Sequence, residues 1–146
     1  MQKQFKLIFF VFLVLLPNLI FSQSEEKIIL ETVQQFFDAL ESRDTTLAKN
    51  VLLPDGQFFS IRENNSNINI KKSDHSNFIK KLTISKEPIR ETMNDPLVLI
   101  HNHIAIVWTK YKFYKNGQYS HSGVDAFSLL KTSEGWKIAG IIYNIE

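Results

Sequence analysis

The stretch YSHSGVDAFSLL, residues 119–130, places His121, Gly123 and Asp125 at alternate positions before an apolar run. An imidazole and a carboxylate are common general acids and bases near neutral pH. Alternate side chains of a strand lie on one face, but His121 and Asp125 are roughly 13 Å apart along it, too far for a hydrogen bond. The spacing therefore predicts two separate polar groups with space beside Gly123, which suits a ligand pocket.

The hairpin that positions this strand is predicted to turn at Asn116-Gly117, a dipeptide favoured in two-residue turns. With Lys115 paired to Gln118, Trp108 lies opposite Asp125, and a shift of one residue would exchange the faces. One face combines bulky apolar side chains with a polar end, so we expect it to pack on the helices. That face comprises Ile104, Ile106, Trp108, Lys110 and Lys112 beside His121, Gly123, Asp125, Phe127 and Leu129.

Asp125 has two interpretations at this point. As a structural residue, it forms an ion pair with the diagonal Lys110 or accepts a hydrogen bond from the Trp108 indole. As a functional residue, it is held between Trp108 and Phe127, where desolvation raises its pKa toward neutral pH and suits it to general acid or base catalysis. His121 is likewise either a residue of the cavity rim or a hydrogen-bond donor to a ligand.

The chain offers ligand-binding candidates beside these two residues and few signs of other chemistry. His101 and His103 could present two imidazoles on one strand face, but a metal site needs a third ligand and none stands out. The sequence contains no phosphate-binding glycine loop, nucleophile elbow or dinucleotide fingerprint, so we expect no metal and no cofactor. The residues predicted to bind the ligand are Trp108, Lys110, Gly123, Phe127 and Phe37.

Three helices are predicted, all in the first part of the chain. Over Glu25–Ser42 a single apolar stripe recurs at helical spacing. Asp44 or Thr45 can cap a short second helix, and Ser73 or Asp74 can start a third. The apolar stripe of the first helix comprises Ile29, Val33, Phe36, Phe37 and Leu40.

Strand signals dominate the rest of the chain. Pro54-Asp55-Gly56 predicts a turn before the short strand QFFSI, and the polar stretch from Arg62 to Ser76 predicts a long loop. IRETM predicts a short strand ended by a turn at Asn94-Asp95-Pro96, and a break near His101-Asn102 divides the next apolar stretch into two strands. This order predicts one α+β domain over residues 23–146, with N-terminal helices packed on a strongly curved antiparallel sheet.

Residues 1–22 are typical of a secretory signal, with Lys3 and Lys6 before an apolar run. We expect cleavage near Ser22 and a secreted or periplasmic protein without stable membrane insertion; an uncleaved membrane anchor is the alternative. Removal leaves 17 − 2 = 15 basic against 15 acidic residues. A neutral chain has no general attraction to nucleic acid or membranes. The absence of cysteine excludes disulfides and thiol catalysis.

Residues 105–144 resemble the nuclear transport factor 2-like superfamily, and most closely its polyketide-cyclase-like or putative lumazine-binding small domains. The resemblance rests on the hairpin YKFYKNG, the strand SHSGVDAF and the closing EGWKI. It implies a cone-shaped curved sheet around a cavity, and a homodimer, for which the face with Thr109, Tyr111, Ser122 and Ser128 is the candidate. It does not fix an activity, because this fold hosts isomerases, dehydratases, cyclases and proteins of no known activity.

Two main functions stay open on the sequence. The first is an exported module whose apolar cavity binds a small apolar or aromatic molecule without catalysis. The second is a cofactor-free acid–base enzyme of the isomerase, dehydratase or cyclase type, with Asp125 as base and His121 or Tyr111 as hydrogen-bond donor. A scaffold that assembles through its exposed sheet face is a third hypothesis. Binding is favoured because the polar groups are few and His121 and Asp125 are too distant to form a dyad.

Overall fold

The computed structural model describes residues 25–146, in which helices pack on a six-stranded sheet. The sheet order is β2-β1-β6-β5-β4-β3; β1 and β6 are parallel, and the other neighbours are antiparallel. The α+β fold is confirmed, with a mixed sheet in place of the expected antiparallel one. The elements are α1 over residues 25–42, α2 Thr45–Val51, β1 Leu52–Asn64, β2 Asn67–Asp74, α3 His75–Ile84, β3 Ile89–His101, β4 Ile104–Lys115, β5 Gln118–Thr132 and β6 Gly135–Ile145.

The helices lie where the sequence predicts them. The apolar stripe of α1 is buried against the sheet. Asp44 caps α2, since its Oδ1 accepts hydrogen bonds from the backbone N–H groups of Thr46 at 2.8 Å and Leu47 at 2.9 Å. Asp74 caps α3 by accepting from the backbone N–H of Asn77 at 2.6 Å. Each cap satisfies donors that a helix cannot pair internally.

The predicted turn at Pro54-Asp55-Gly56 is wrong, because β1 continues through it. The register of β1 against β6 shifts between Leu52 and Gln57, so this segment is an irregularity within the strand. The buried His75 fixes it: Nδ1 lies 2.7 Å from the carbonyl oxygen of Leu53, and a Cβ on Gly56 would lie 2.0 Å from the His75 ring. Glycine therefore lets the irregular segment approach α3.

The turn at Asn94-Asp95-Pro96 is also wrong, and for a similar reason. Strand β3 runs on from Ile89 to His101, with a register shift against β4 between Asn94 and Leu97. The Thr109 side chain secures this bulge, since its hydroxyl donates to the carbonyl of Asn94 at 2.9 Å. A bulge uses the same residue types as a turn, so the local sequence signal is ambiguous.

The long loop expected from Arg62 to Ser76 is instead a hairpin of β1 and β2. Its turn residues, Asn65 and Ser66, have φ angles of 49° and 64°, as two-residue hairpin turns require. Most side chains of β2 are exposed, including Ile68 and Ile70. This edge strand therefore lacks the inward apolar alternation by which a half-buried strand is recognised.

The β4–β5 hairpin turns at Asn116-Gly117, and Lys115 pairs with Gln118 as predicted. The register then shifts, because Tyr114 pairs with Tyr119 but Phe113 pairs with His121, which leaves Ser120 as an extra residue. This single bulge exchanges the two faces of β4 relative to β5.

The prediction that Ile104, Ile106, Trp108, Lys110 and Lys112 face the helices is therefore wrong. These side chains lie on the outer face of the sheet, where Trp108 is 50% exposed. The inner face of β4 carries Ala105, Val107, Thr109 and Tyr111, which are all buried. The dimer face that was expected to contain Thr109 and Tyr111 is wrong for the same reason.

Candidate functional site

A cavity of about 380 Å³ lies between the helices and the inner face of the sheet. Aromatic rings and aliphatic side chains form most of its wall, and several titratable side chains also line it. The lining residues are Phe36, Leu40, Phe58, Ser73, Phe78, Lys81, Ile89, Glu91, Tyr111, Phe113, Lys115, His121, Asp125, Ile141, Tyr143 and Ile145.

Asp125 lies on β5 and is 3% exposed. The ion pair with Lys110 and the hydrogen bond from Trp108 are both wrong, because the bulge places Thr109 opposite Asp125 and turns Lys110 and Trp108 to the outer face. The carboxyl group of Asp125 instead lies within hydrogen-bonding reach of a second acid, Glu91 of β3. The site therefore contains a pair of contacting carboxyl groups.

At neutral pH the two carboxyl groups hold at least one proton between them. Burial raises the pKa of Asp125 to about 7, and the hydrogen bond from Glu91 opposes this rise. Burial, followed by the nearby charge of Asp125, raises the pKa of Glu91 well above its ordinary value. Ionisation of both acids in contact would cost free energy, so Glu91 keeps its proton, and its O–H group donates a hydrogen bond to Asp125. The Oδ2 atom of Asp125 has no hydrogen-bond partner in the structure.

Two of the hydroxyl groups beside the carboxyl pair, those of Tyr111 and Thr109, donate elsewhere. Tyr111 donates to the backbone carbonyl of Asn144 at 2.8 Å, and Thr109 donates to that of Asn94 at 2.9 Å. Burial, together with the charges of the two acids, raises the pKa of the Tyr111 phenol above its usual range, so it stays protonated. The carboxyl pair thus lies among hydroxyls that leave part of its acceptor capacity unused.

Gly123 does not supply space for a ligand, as was expected of it. A Cβ at this position would lie 2.2 Å from the carbonyl oxygen of Asn144 and 2.8 Å from the Tyr111 ring. Glycine therefore allows β6 and Tyr111 to approach β5, where the Tyr111 hydroxyl donates a hydrogen bond to the carbonyl of Asn144.

His121 lines the same cavity but contacts aromatic rings. It stacks on Phe113 with ring centroids 4.7 Å apart and meets Tyr111 edge-on at 5.9 Å. Its Nδ1 lies 3.1 Å from the hydroxyl of Ser120. Burial lowers the pKa of His121, and the positive charges of Arg62 and Lys115 lower it further, so the ring is neutral at neutral pH.

The structure brings together only part of the predicted site. Asp125 and His121 line the cavity, whereas Trp108 and Lys110 lie on the outer face. Phe37 and Phe127 pack edge-on at 5.7 Å within the core. The sequence reasoning missed Glu91, although an acid at the centre of the alternating pattern I-R-E-T-M signals an inward carboxyl group.

Other kinds of site find little support in the described part of the chain. Residues 25–146 contain no group of three His, Cys, Asp or Glu side chains arranged to hold a metal ion. Among the helices of the same residues, none has the length and apolar character needed to cross a membrane. The signal predicted over residues 1–22 lies outside the described residues.

The comparisons with known proteins agree with the cone-shaped fold. A family model described as putative lumazine-binding matches residues 24–144. Among solved structures, a nuclear transport factor 2-like protein from Cytophaga hutchinsonii has a TM-score of 0.71 at 12% identity, covering 84% of this chain and 98% of its own. A superfamily member from Salmonella enterica has a TM-score of 0.66 at 17% identity, covering 84% and 91%.

A third similar structure is the CaMKII hub of S. rosetta, with a TM-score of 0.64 at 18% identity, covering 82% of this chain and 95% of that one. No match was found among curated proteins. At these identities the solved structures establish the fold alone.

Proposed function

We propose that this chain, which belongs to the putative lumazine-binding family of the nuclear transport factor 2-like superfamily, binds a small aromatic molecule in its cavity. The observation that carries the proposal is an aromatic-walled cavity of about 380 Å³ that also contains a few polar side chains. Ligand pockets have this composition and span about 300–1,000 Å³. The name of the family supports a bicyclic heteroaromatic ligand.

Two neutral bicyclic probes test this function, lumazine with polar ring edges and indole with one N–H. We expect saturable NMR shift changes at Phe58, Phe113 and Tyr143 with at least one probe. Ile145→Trp narrows the cavity and should weaken binding, whereas Ile68→Trp on the exposed β2 should not. Absence of saturable shifts with both probes would contradict the proposal.

The second candidate function is cofactor-free acid–base catalysis, and the Glu91–Asp125 pair is the observation that favours it. Buried acids whose pKa values are pushed apart are typical of sites that transfer protons. In this alternative Asp125 is the base and Glu91, rather than His121, is its hydrogen-bonded partner. A suitable assay is deuterium incorporation next to the carbonyl of 1-indanone in D2O. Catalysis requires a rate above that of buffer which Asp125→Asn abolishes; a rate equal to buffer rejects it for this class of substrate.

We also propose that two copies associate through the outer face of the sheet. Large apolar side chains are exposed there on neighbouring strands, and exposed apolar patches of this kind mark interaction sites. The centre of the patch carries no charge, so two copies can meet without like-charge repulsion. The patch, called the outer apolar patch below, consists of Leu97, Leu99, Ile104, Ile106, Trp108 and Ile142.

Export is a further proposal, supported by the sequence of residues 1–22. We expect the protein secreted by its host to begin near Gln23, which mass measurement of its N-terminus would establish. Retention of Met1 together with membrane fractionation would contradict cleavage.

A further inference from the structure

We propose that the Glu91–Asp125 pair binds the paired N–H donors of a cationic amidinium or guanidinium group on the aromatic ligand, and that binding displaces the proton which the pair shares. This inference rests on the proposed binding function and specifies the chemistry of its ligand. It assigns the polar end of that ligand to the two acids and its ring to the aromatic wall.

The hydrogen bonds around the pair show which kind of group is missing. Asp125 has a buried oxygen without a partner, and a buried unpaired acceptor is costly. The nearby Tyr111 and Thr109 hydroxyls donate to backbone carbonyls. Because these two hydroxyls donate to backbone carbonyls, the unpaired Asp125 oxygen lacks a donor, and the N–H groups of a ligand could supply one.

The charges around the pair favour a cation. Tyr111 of β4 and Tyr143 of β6 face it as protonated phenols, since burial raises the pKa of both. The positive charge of Arg62 of β1 lowers the pKa of both tyrosines, and the charges of Arg62 and Lys115 lower the pKa of His121. Lys81 of α3 lines the cavity, but among the described residues neither Glu91 nor Asp125 forms an ion pair with a lysine or an arginine. The negative charge of the pair therefore has no ion-pair partner in this part of the chain.

The proton balance of the binding step follows from this arrangement. In the free protein Glu91 is protonated, and its O–H group donates a hydrogen bond to the Asp125 carboxylate. An amidinium presents two parallel N–H groups, which match two carboxylate oxygens in charge-assisted hydrogen bonds. When it binds, Glu91 ionises and its proton passes to solvent, with no change in any carbon bond. A neutral amidine would take up that proton itself, and none would be released.

The aromatic wall suits the rest of such a ligand. Phe58 and Phe78 lie with centroids 5.0 Å apart on one side, and Phe113 stacks on His121 on another. Aromatic rings attract cations through their faces and stabilise a flat ring by burial of apolar area. The cavity thus combines a recognition group for two donors with space for a planar body.

Benzamidine and benzamide provide a matched pair of probes, because they share a shape while only benzamidine is cationic at pH 7. Calorimetry in phosphate and in Tris, which differ in ionisation enthalpy, measures both affinity and proton release. We expect benzamidine to bind about tenfold more tightly or better, as charge-assisted hydrogen bonds would require. At pH 8, where Asp125 is mostly ionised and the proton lies on Glu91, benzamidine binding should release about one proton per site, whereas benzamide should release none.

Single substitutions test whether the preference for benzamidine depends on the two acids. Glu91→Gln and Asp125→Asn should each remove the preference for benzamidine over benzamide, and a retained cooperative unfolding transition shows that each variant is folded. Glu63→Gln, which removes an exposed carboxylate, should retain the preference.

Three results would overturn the inference: equal affinities for the two probes, benzamidine binding without proton release, or an undiminished preference in Asp125→Asn. If lumazine or indole binds but benzamidine has no advantage, this inference fails and the proposed function stands. If none of the four probes binds, both fail.

Discussion

Strand β4 directs Thr109 and Tyr111 into the fold, whereas Ile106 and Trp108 on its other face are exposed. Buried hydroxyls and acids cost free energy unless they find hydrogen-bond partners, and exposed apolar side chains forgo the gain of burial. The inner hydroxyls are paired with backbone carbonyls, but an oxygen of Asp125 is not. The inner face thus has a carboxyl oxygen that lacks a hydrogen-bond donor, and the outer apolar patch exposes apolar area that a partner surface could bury.

The largest loss of stability should come from adding a side chain at Gly123, where the inner face is tightly packed. Gly123→Ala places a methyl group against the Asn144 carbonyl and the Tyr111 ring, so we expect a loss of about 3 kcal/mol in the free energy of unfolding. Gly140→Ala on the outer side is the control, because its nearest neighbour is the flexible Ser128 side chain at 3.1 Å, and it should cost about 1 kcal/mol or less. Urea unfolding measures both, and equal losses would show that the two sides are packed alike.

A charge within the outer apolar patch should act on association rather than on folding. Trp108→Lys should weaken self-association by about 2 kcal/mol or more, because large aromatic residues dominate interface energies. The melting temperature of the isolated chain should change little. Ile68→Lys on the exposed β2 is the matched control and should leave association intact. Sedimentation that gives only monomer for the unmodified chain at high concentration would remove the basis of this prediction.

The pH dependence of stability should report the inner acids. The pKa of Asp125 in the fold is about 7, above its ordinary value of 3.8, so ionisation weakens the fold as pH rises through this window. Asp125→Asn removes that penalty, and its amide can donate to an ionised Glu91. We expect a gain of about 1 kcal/mol or more at pH 8 and a smaller difference near pH 4.

Chemical unfolding at several pH values measures this dependence. Glu63→Gln should keep the slope of the unmodified protein, since Glu63 is exposed. A loss of stability in Asp125→Asn that is the same at pH 4 and pH 8 would mean that Asp125 has a purely structural role.

The smallest effect concerns the bulge of β3. Thr109→Val keeps the shape but removes the hydroxyl that bonds the Asn94 backbone, so unfolding should become easier by about 1 kcal/mol. Hydrogen exchange of the Asn94 amide should rise as its bond to Thr109 is lost. An unchanged exchange rate would show that the bulge does not depend on this side chain.

The sequence predicted the fold because its strongest local signals agree with it. The apolar stripe of α1, the capping residues Asp44 and Asp74, and the Asn116-Gly117 turn all lie where the structure has them. These signals depend on neighbouring residues, so they can be recognised without tertiary contacts. Bulges cannot be recognised in this way, since an extra residue such as Ser120 is revealed only by its partner strand.

The candidate site was predicted less well for the same reason. His121 and Asp125 were predicted to lie on the inner face from the alternation of β5. This prediction is confirmed, because both residues follow the bulge at Ser120 and line the cavity. Trp108 and Lys110 were assigned across the hairpin, so one shifted residue moved both to the outer face. Glu91 meets Asp125 across β4, a contact between distant parts of the chain that no local pattern specifies.

The proton shared by Glu91 and Asp125 is the central claim, and carbon-13 NMR of their side-chain carboxyl groups tests it most directly. Across a pH titration of the free protein, we expect Asp125 to titrate near pH 7 and Glu91 to stay protonated at pH 7. If both carboxyls ionise near pH 4, as exposed acids do, the pair shares no proton and the account of the inner face is wrong.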